Sequence, residues 1–186
     1  LWSCYLIDEP DMQRVSPEKV EAAHRVVKQA GASKPTSLVL YQGDSAKWYG
    51  NIADITMVDR YPVPWLPLAN FSQHIHKSRL ATNEERPLIA VIQSFDWTAH
   101  QSVLPGEENL RPPTERELRS MTYSALARGA NGIFYFSYAD MRLKERKYPE
   151  LWEALKRVVG EVRRREALFA ADHVWWPQAH HFENQD

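Results

Sequence analysis

The chain has 186 residues, and its 23 lysines and arginines nearly balance its 24 aspartates and glutamates. The net charge of −1 therefore gives no sign of the basic surface that binds nucleic acid or anionic membranes. A membrane span needs about 18 consecutive apolar residues, and no apolar run in the sequence is that long. The single cysteine, Cys4, excludes a disulfide framework and a cysteine metal site within one chain.

Five short apolar runs predict five β-strands, and a helical pattern follows each of them. The predicted strands span residues 2–8, 35–41, 54–59, 87–95 and 132–138. The predicted helices span residues 17–30, 45–49, 69–81, 115–128 and 149–169. Ser16 is the expected N-cap of the first helix, and Thr114 and Glu117 form a predicted capping box at the start of the fourth.

The strict alternation of strands and helices predicts an α/β fold with a parallel sheet. The strands begin about 30 residues apart on average, which is the spacing of a (β/α)₈ or TIM barrel. Residues 1–171 are expected to form an incomplete barrel of five units, equivalent to the fourth strand through the eighth helix, and residues 172–186 an irregular tail. An open doubly wound sheet is the alternative, disfavoured because no G-x-G-x-x-G motif follows the first strand.

The chain begins with a strand pattern rather than a signal peptide, and it lacks an initiator methionine. We therefore expect it to start inside a longer gene product or to be truncated. A barrel without its first three units has two open strand edges, which invite association with other chains. A homo-oligomer is the expected state.

Ligands bind at the carboxyl ends of the strands in both architectures. The polar and aromatic side chains at these ends are Asp8, Glu9, Asp11, Tyr41, Gln42, Asp44, Asp59, Arg60, Tyr61, Trp65, Gln93, Ser94, Asp96, Trp97, His100, Tyr135, Ser137, Tyr138, Asp140 and Arg142. Carboxylates, amides and flat rings on one rim suit sugars, which have apolar CH faces and hydroxyl edges. Glycosidic cleavage needs two carboxyl groups, one as proton donor and one as base or nucleophile.

Glu9 is the expected proton donor, because it ends an apolar strand where desolvation raises the pKa of a carboxyl group. Asp8 is expected on the opposite face of that strand, since side chains alternate. Asp59 and Asp96 compete for the role of the second carboxylate, since each follows an apolar strand. Structural alternatives are that Glu9 caps a helix or pairs with an arginine of the rim, and that Arg60 neutralises Asp59.

Substrate contacts are expected from both ring faces and polar groups of the rim. The candidate sugar platforms are Tyr41, Tyr61, Trp65, Trp97 and Tyr138, and the candidate hydroxyl partners are Asp8, Arg60 and Gln93. Packing within loops is the alternative for each aromatic side chain.

No metal or other cofactor is predicted. His74 and His76 lie two residues apart on a predicted helix and therefore face different directions, and His180 and His181 lie in the tail, where nothing supports a third ligand. The HExxH zinc motif, the Walker loop and the G-x-S-x-G nucleophile motif do not occur.

Residues 5–10, Tyr-Leu-Ile-Asp-Glu-Pro, resemble the end of the fourth strand in barrels of the large retaining clan of glycoside hydrolases. That clan usually has Asn-Glu-Pro there, and its glutamate is the acid/base. Residues 111–138 resemble little-characterised bacterial glycosidase-like barrels, in which a Pro-Thr-x-x-Glu-Leu-Arg helix leads into Gly-Ala-x-Gly-Ile and the last strand. The resemblance covers most of residues 1–170 and implies a bacterial protein, either secreted, periplasmic or cytoplasmic.

Two positions depart from the pattern of that clan. Asp8 stands where the clan has an asparagine that contacts the sugar 2-hydroxyl, and no glutamate ends the strand at 87–95, where the clan has its nucleophile. The expected function is a glycoside hydrolase, or a fragment of one, acting on a poly- or oligosaccharide. A non-catalytic carbohydrate-binding or inactive half-barrel is the main alternative. Another barrel enzyme of the lyase or aldolase kind is disfavoured, because no strand end listed above carries a Schiff-base lysine.

Overall fold

The computed structural model describes residues 2–82, 86–100, 110–143 and 148–171. Its strands are β1 (Cys4–Ile7), β2 (Thr36–Leu40), β3 (Ile55–Val58), β4 (Leu88–Gln93) and β5 (Gly132–Phe136). Its helices are α1 (Pro17–Gln29), α2 (Ala46–Tyr49), α3 (Leu68–Ala81), α4 (Glu115–Ala127), α5 (Pro149–Arg164) and α6 (Glu166–Phe169). The tail predicted at 172–186 lies outside the described residues.

All five strands are parallel, and they stand side by side in chain order, β1-β2-β3-β4-β5. A doubly wound sheet reverses its strand order at a switch point, whereas successive units of a barrel follow one another around a circle. The monotonic order therefore confirms the predicted incomplete (β/α)₈ barrel.

The sheet is strongly curved, because an aromatic pair joins its two outermost strands on the inside. The rings of Trp2, just before β1, and Phe134 of β5 lie with centroids 5.2 Å apart. In a flat sheet four strand spacings would separate these strands by about 19 Å. The five strands therefore form a half-barrel with a concave inner face.

Apolar side chains alternate between the two faces of the sheet, as the pleat requires. Toward the helices, Leu88 and Ile92 of β4 pack in one buried cluster with residues of α3 and α4 such as Ile75 and Met121. The concave face has its own buried cluster, formed by Val39, Ile55, Met57, Ile89 and Val91. All six residues of β4 are buried, which explains the unbroken apolar run of this segment.

Local signals in the sequence account for most helix ends. Thr114 accepts the backbone N–H of Glu117, and the side chain of Glu117 accepts the N–H of Thr114, so the predicted capping box is confirmed. Ser16 takes the N-cap position of α1 without a side-chain hydrogen bond. The helix predicted over 149–169 is interrupted at Arg165, which ends α5 and precedes α6.

No helix in the described part of the chain is long and apolar enough to cross a membrane. The strands β1 and β5 end the sheet, and each pairs with a single neighbouring strand among the described residues. The predicted homo-oligomer stays a prediction.

Candidate active site

The segment after β1 holds Glu9 in an uncommon backbone conformation. Its φ is 41°, in the left-handed region that non-glycine residues seldom adopt. The carbonyl of Glu9 accepts the backbone N–H groups of Met12 (3.1 Å) and Gln13 (2.9 Å), and the Gln13 side chain donates to the carbonyl of Asp8 (2.6 Å). Such conformations persist only where neighbours fix them, and they concentrate at functional sites.

Asp11 fixes the same segment to the next strand end. Its two carboxylate oxygens accept the backbone N–H groups of Tyr41 (3.1 Å) and Gln42 (2.9 Å), directly after β2. The position of Glu9 is therefore set by the backbone of two adjacent units of the half-barrel.

Asp59 is the first residue after β3, and it continues the concave side of the strand that Ile55 and Met57 line. Its side chain is only 7% exposed. One carboxyl oxygen, Oδ2, accepts the hydroxyl of Tyr61 at 3.3 Å. The other, Oδ1, is buried and has no hydrogen-bond partner among the described residues.

Glu9 and Asp59 lie near each other, since each carboxyl group acts on the pKa of the other. Burial, followed by the charges of Glu9 and Asp8, raises the pKa of Asp59 to about 8. Burial, followed by the charges of Asp8 and Asp11, also raises the pKa of Glu9, and its interaction with Asp59 opposes that rise. Asp59, the more deeply buried of the two, therefore holds its proton into the neutral pH range.

An aromatic cluster beside this pair surrounds Phe95, which is 1% exposed. The ring centroids of Tyr61, Trp97, His100 and Phe136 lie 5.1, 5.1, 4.8 and 5.7 Å from that of Phe95. Tyr61 also stacks on Phe136 at 5.9 Å. We call these five residues the Phe95 cluster; its apolar rings keep water from one side of Asp59 and thereby contribute to the raised pKa of that group.

The predicted sugar platforms have different surroundings. Trp97 donates its ring N–H to the carbonyl of Val63 (2.9 Å) and lies 5.8 Å from Trp65, which is 40% exposed. Tyr138 is 52% exposed and packs against Trp152. Trp65 and Tyr138 thus keep exposed ring surface at the rim, whereas Trp97 is packed among the rings of Tyr61, Trp65, Phe95 and His100.

Tyr41, Tyr61 and Arg60 are engaged with neighbouring residues. The Arg60 guanidinium lies over the Tyr41 ring at 4.4 Å and donates to Asn70 at 2.9 Å. The guanidinium therefore forms no ion pair with Asp59 in the described structure. This differs from the alternative in which Arg60 neutralises Asp59. Tyr61 is packed within the Phe95 cluster and bonds Asp59, which makes it a support of the carboxyl pair rather than an open platform.

Gln93 and Asp96 are tied into the scaffold. Gln93 is fully buried, and its amide bonds both the N–H (2.9 Å) and the carbonyl (2.8 Å) of Val63. Asp96 is 4% exposed, and one of its oxygens accepts the backbone N–H and the hydroxyl of Thr98. These bonds hold the loop after β4, and they engage the amide of Gln93 and one oxygen of Asp96.

Asp8 does not take the opposite face that strand alternation predicts. Its carboxylate accepts the hydroxyl of Tyr5 at 2.5 Å, although residues three apart lie on opposite faces of a regular strand. The pairing register with β2 shifts between Tyr5 and Ile7, so the strand is irregular there. As a result the charge of Asp8 acts on both Glu9 and Asp59.

Three further groups near the rim were not assigned a role from the sequence. Tyr5 is 52% exposed and Phe136 is 41% exposed. Both belong to apolar strands, where an aromatic side chain in the alternating pattern gives no sign of function. Nε2 of His100 faces the buried Asp140 at 3.6 Å, where Asp140 also accepts the hydroxyl of Ser137. Only the fold brings the ends of β4 and β5 together to form this His100–Asp140 pair.

His74, one of the two helix histidines considered as metal ligands, has a structural role. Nδ1 of His74 accepts the backbone N–H of Gly43 at 2.8 Å, so this atom is not a free ligand. Within the described ranges, no three His, Cys, Asp or Glu side chains are grouped in a way that could hold a metal ion.

The described part of the chain has a TIM-barrel fold, of which it forms five units. It is similar to bee venom hyaluronidase (TM-score 0.53, 8% identity, 77% of this chain and 51% of that chain). It is also similar to a GH128 endo-β-1,3-glucanase from Amycolatopsis mediterranei in complex with laminaripentaose (0.53, 11%, 82% and 71%). A third similar structure is a putative α-L-fucosidase from Bacteroides thetaiotaomicron (0.52, 11%, 79% and 51%).

The chain spans about half the length of the hyaluronidase and of the fucosidase. No family model and no curated protein matches the sequence. At identities of 8–11% the structural likeness concerns the fold alone.

Proposed function

We propose that the chain is a glycoside hydrolase, or the part of one that carries the proton-donating carboxyl pair. The observation that supports this most is the placement of Glu9 and Asp59 at the carboxyl ends of β1 and β3, where each carboxyl group acts on the pKa of the other. A carboxyl pair that keeps one proton at neutral pH can act as a general acid. The glycosidase-like fold supports the same conclusion by analogy.

The two carboxyl groups differ in their access to a substrate. Glu9 is half-buried, whereas Asp59 is 7% exposed. Glu9 therefore touches the glycosidic oxygen and donates the proton to it, and the proton held by Asp59 then replaces the one that Glu9 has lost. The C–O bond breaks, the leaving oxygen gains the proton, and water adds its hydroxyl to the anomeric carbon and returns a proton to the carboxyl pair.

The exposed rings of the rim complete the proposed substrate site. Phe136 and Trp65 present apolar faces close to the carboxyl pair, and such faces cover the CH side of a sugar ring. An oligosaccharide occupies the similar glucanase. A poly- or oligosaccharide is thus the proposed substrate class.

The test compares the wild-type chain with Glu9→Gln on aryl-glycosides and natural polysaccharides, hyaluronan and β-1,3-glucan included. We expect turnover by the wild type and a loss of about 100-fold or more in Glu9→Gln, the usual contribution of a general acid. Glu21→Gln is the control, since Glu21 is an exposed residue of α1 paired with Arg25. Equal turnover by wild type and Glu9→Gln would refute the proposal.

A non-catalytic carbohydrate-binding half-barrel is the second candidate. It is favoured because the described residues form only five of eight barrel units, which leaves part of the rim without side chains from these residues. Sugar binding by the wild type without turnover of any substrate would support this candidate.

A further inference from the structure

The ends of β4 and β5 bring a histidine and a carboxylate together on the rim. Nε2 of His100, after β4, lies 3.6 Å from Oδ2 of Asp140, after β5. This nitrogen is buried and has no hydrogen bond among the described residues. Ser137 fixes the carboxylate, since its hydroxyl donates to Oδ2 and accepts the backbone N–H of Asp140 at 3.2 Å. With Nε2 turned to Asp140, Nδ1 is the ring nitrogen of His100 that is left to take a proton from a ligand.

His100 lies beside exposed aromatic surface on the concave face. Its ring centroid is 6.0 Å from that of Phe136, which is 41% exposed. Phe136 faces the inside of the half-barrel, because Ile133 and Tyr135 of the same strand pack toward the helices and side chains alternate along a strand. A sugar ring that covers Phe136 therefore lies next to His100.

Glu9 and His100 belong to opposite walls of the mouth of the half-barrel. All five strands are parallel, so their carboxyl ends lie at the same end of the sheet. The strands β1 and β5 are four positions apart, which is half of the way around an eight-stranded barrel, and the rings of Trp2 and Phe134 meet across the interior. Glu9 follows β1, whereas His100 packs against Phe136 at the end of β5. A sugar in this mouth therefore has Glu9 on one side and His100 on the other.

The carboxylates on the wall that carries His100 are too deeply buried to reach a sugar. Asp96 is 4% exposed and Asp140 is 3% exposed, whereas the side chain of His100 is 26% exposed. One oxygen of Asp96 is also engaged with Thr98. A base on this wall is therefore better supplied by the imidazole of His100 than by either carboxylate.

We propose that His100 is a second catalytic residue, the base that deprotonates the attacking water, and that Asp140 is its positioning residue. This inference rests on the proposed function, in which Glu9 is the proton donor. The water oxygen bonds to the anomeric carbon as its proton passes to Nδ1 of His100, while the bond to the leaving oxygen breaks and that oxygen takes the proton of Glu9. Asp140 stabilises the imidazolium, which then releases its proton to solvent, and solvent restores the proton of the carboxyl pair. Water that arrives opposite the leaving group inverts the anomeric carbon.

The test separates base from acid by the leaving group. Dinitrophenolate departs from a glycoside without a proton, whereas the leaving oxygen of a natural saccharide needs one. In His100→Gln we expect kcat to fall by about 100-fold or more with both kinds of substrate. In Glu9→Gln we expect a comparable fall with the natural saccharide but little change with the dinitrophenyl glycoside. His24→Gln is the control, since His24 of α1 contacts Thr36, and it should keep wild-type turnover.

Two further measurements exclude a merely structural role. Free imidazole should restore part of the turnover of His100→Ala and none of that of Glu9→Gln, and proton NMR should show a product of inverted configuration. Asp140→Asn should lower kcat by about 10-fold or more with both substrates. Wild-type turnover by His100→Gln, or a product of retained configuration, would overturn the inference and leave the role of Glu9 standing. If His100→Gln does not fold, a lack of rescue by imidazole overturns the inference, and a wild type that turns over no glycoside overturns the proposed function as well.

Discussion

The Tyr61 hydroxyl donates a 3.3 Å hydrogen bond to one oxygen of Asp59, while the other oxygen of that carboxyl is buried without a partner in the described structure. A buried polar atom without a hydrogen bond destabilises the folded state. The fold therefore retains a group at Asp59 that stability alone would not select. Such a conflict is typical of residues kept for function.

Replacing Asp59 with asparagine is expected to stabilise the protein at neutral and alkaline pH. The pKa of Asp59 is raised to about 8 in the folded state, mainly by burial, so the folded state binds this proton more tightly than the unfolded state. The stability that this proton provides is complete below the unfolded pKa of about 4 and is lost as the pH rises through 8. Asparagine does not ionise and escapes this loss.

The measurement is the free energy of unfolding by urea at pH 5, 7 and 9. We expect Asp59→Asn to gain on the wild type as the pH rises, reaching on the order of 1–3 kcal/mol at pH 9, the usual cost of an unsatisfied buried group. Turnover should fall strongly in the same variant. A constant difference from pH 5 to pH 9 would contradict the role of burial.

Much of the fold follows from patterns along the chain. The largely apolar segments of β2, β3 and β4 match strands that are buried on both faces. The capping box at Thr114 sets the start of α4 correctly. Local patterns suffice here because apolar periodicity and capping residues show themselves within about ten residues.

The candidate site was predictable only in part. Glu9 and Asp59 stand out because each ends an apolar strand, but their proximity depends on the left-handed turn at Glu9 and on the curvature of the sheet. The bond between Tyr5 and Asp8 depends on a register shift that alternation does not reveal. Gln93 resembles a ligand group in the sequence, yet its amide is taken up by Val63, thirty residues away.

The end of the half-barrel opposite the candidate site is expected to depend on Arg79. Its buried guanidinium donates to the carbonyls of Gly129 (3.0 Å) and Arg86 (3.0 Å) and to the side chain of Asn131 (2.5 Å). These acceptors belong to the segments that precede β4 and β5. Gly129 has a φ of 91°, and a Cβ there would lie 3.0 Å from the Arg79 side chain.

Arg79→Lys should therefore lower the free energy of unfolding by about 2–3 kcal/mol. A lysine ammonium is a point charge and cannot match the planar fork of donors, so buried acceptors are left unpaired. Arg25→Lys is the control, because Arg25 is exposed in α1 and its pair with Glu21 should contribute less than about 0.5 kcal/mol. Urea unfolding at pH 7 measures both variants, and similar losses would contradict a structural role special to Arg79.

His74 is expected to make the protein sensitive to acid. Its Nδ1 accepts the backbone N–H of Gly43 at 2.8 Å, which requires this nitrogen to be unprotonated. Burial, followed by the charges of Arg60 and Lys77, lowers the pKa of His74. In the unfolded chain the imidazole binds a proton more readily, so this contribution to stability is present above the unfolded pKa of about 6.5 and is lost as the pH falls below it.

His74→Gln tests this argument, since its amide oxygen can accept a hydrogen bond at any of these pH values. As the pH falls from 7 to 5, we expect the free energy of unfolding of the variant to rise relative to that of the wild type. The expected rise is about 1 kcal/mol, the contribution of one hydrogen bond. His24→Gln is the matched control. His24 Nδ1 contacts the hydroxyl of Thr36 at 2.9 Å, and a hydroxyl can also accept from a protonated ring, so no acid-dependent gain is expected. Parallel pH profiles for wild type and His74→Gln would show that the bond to Gly43 does not control acid stability.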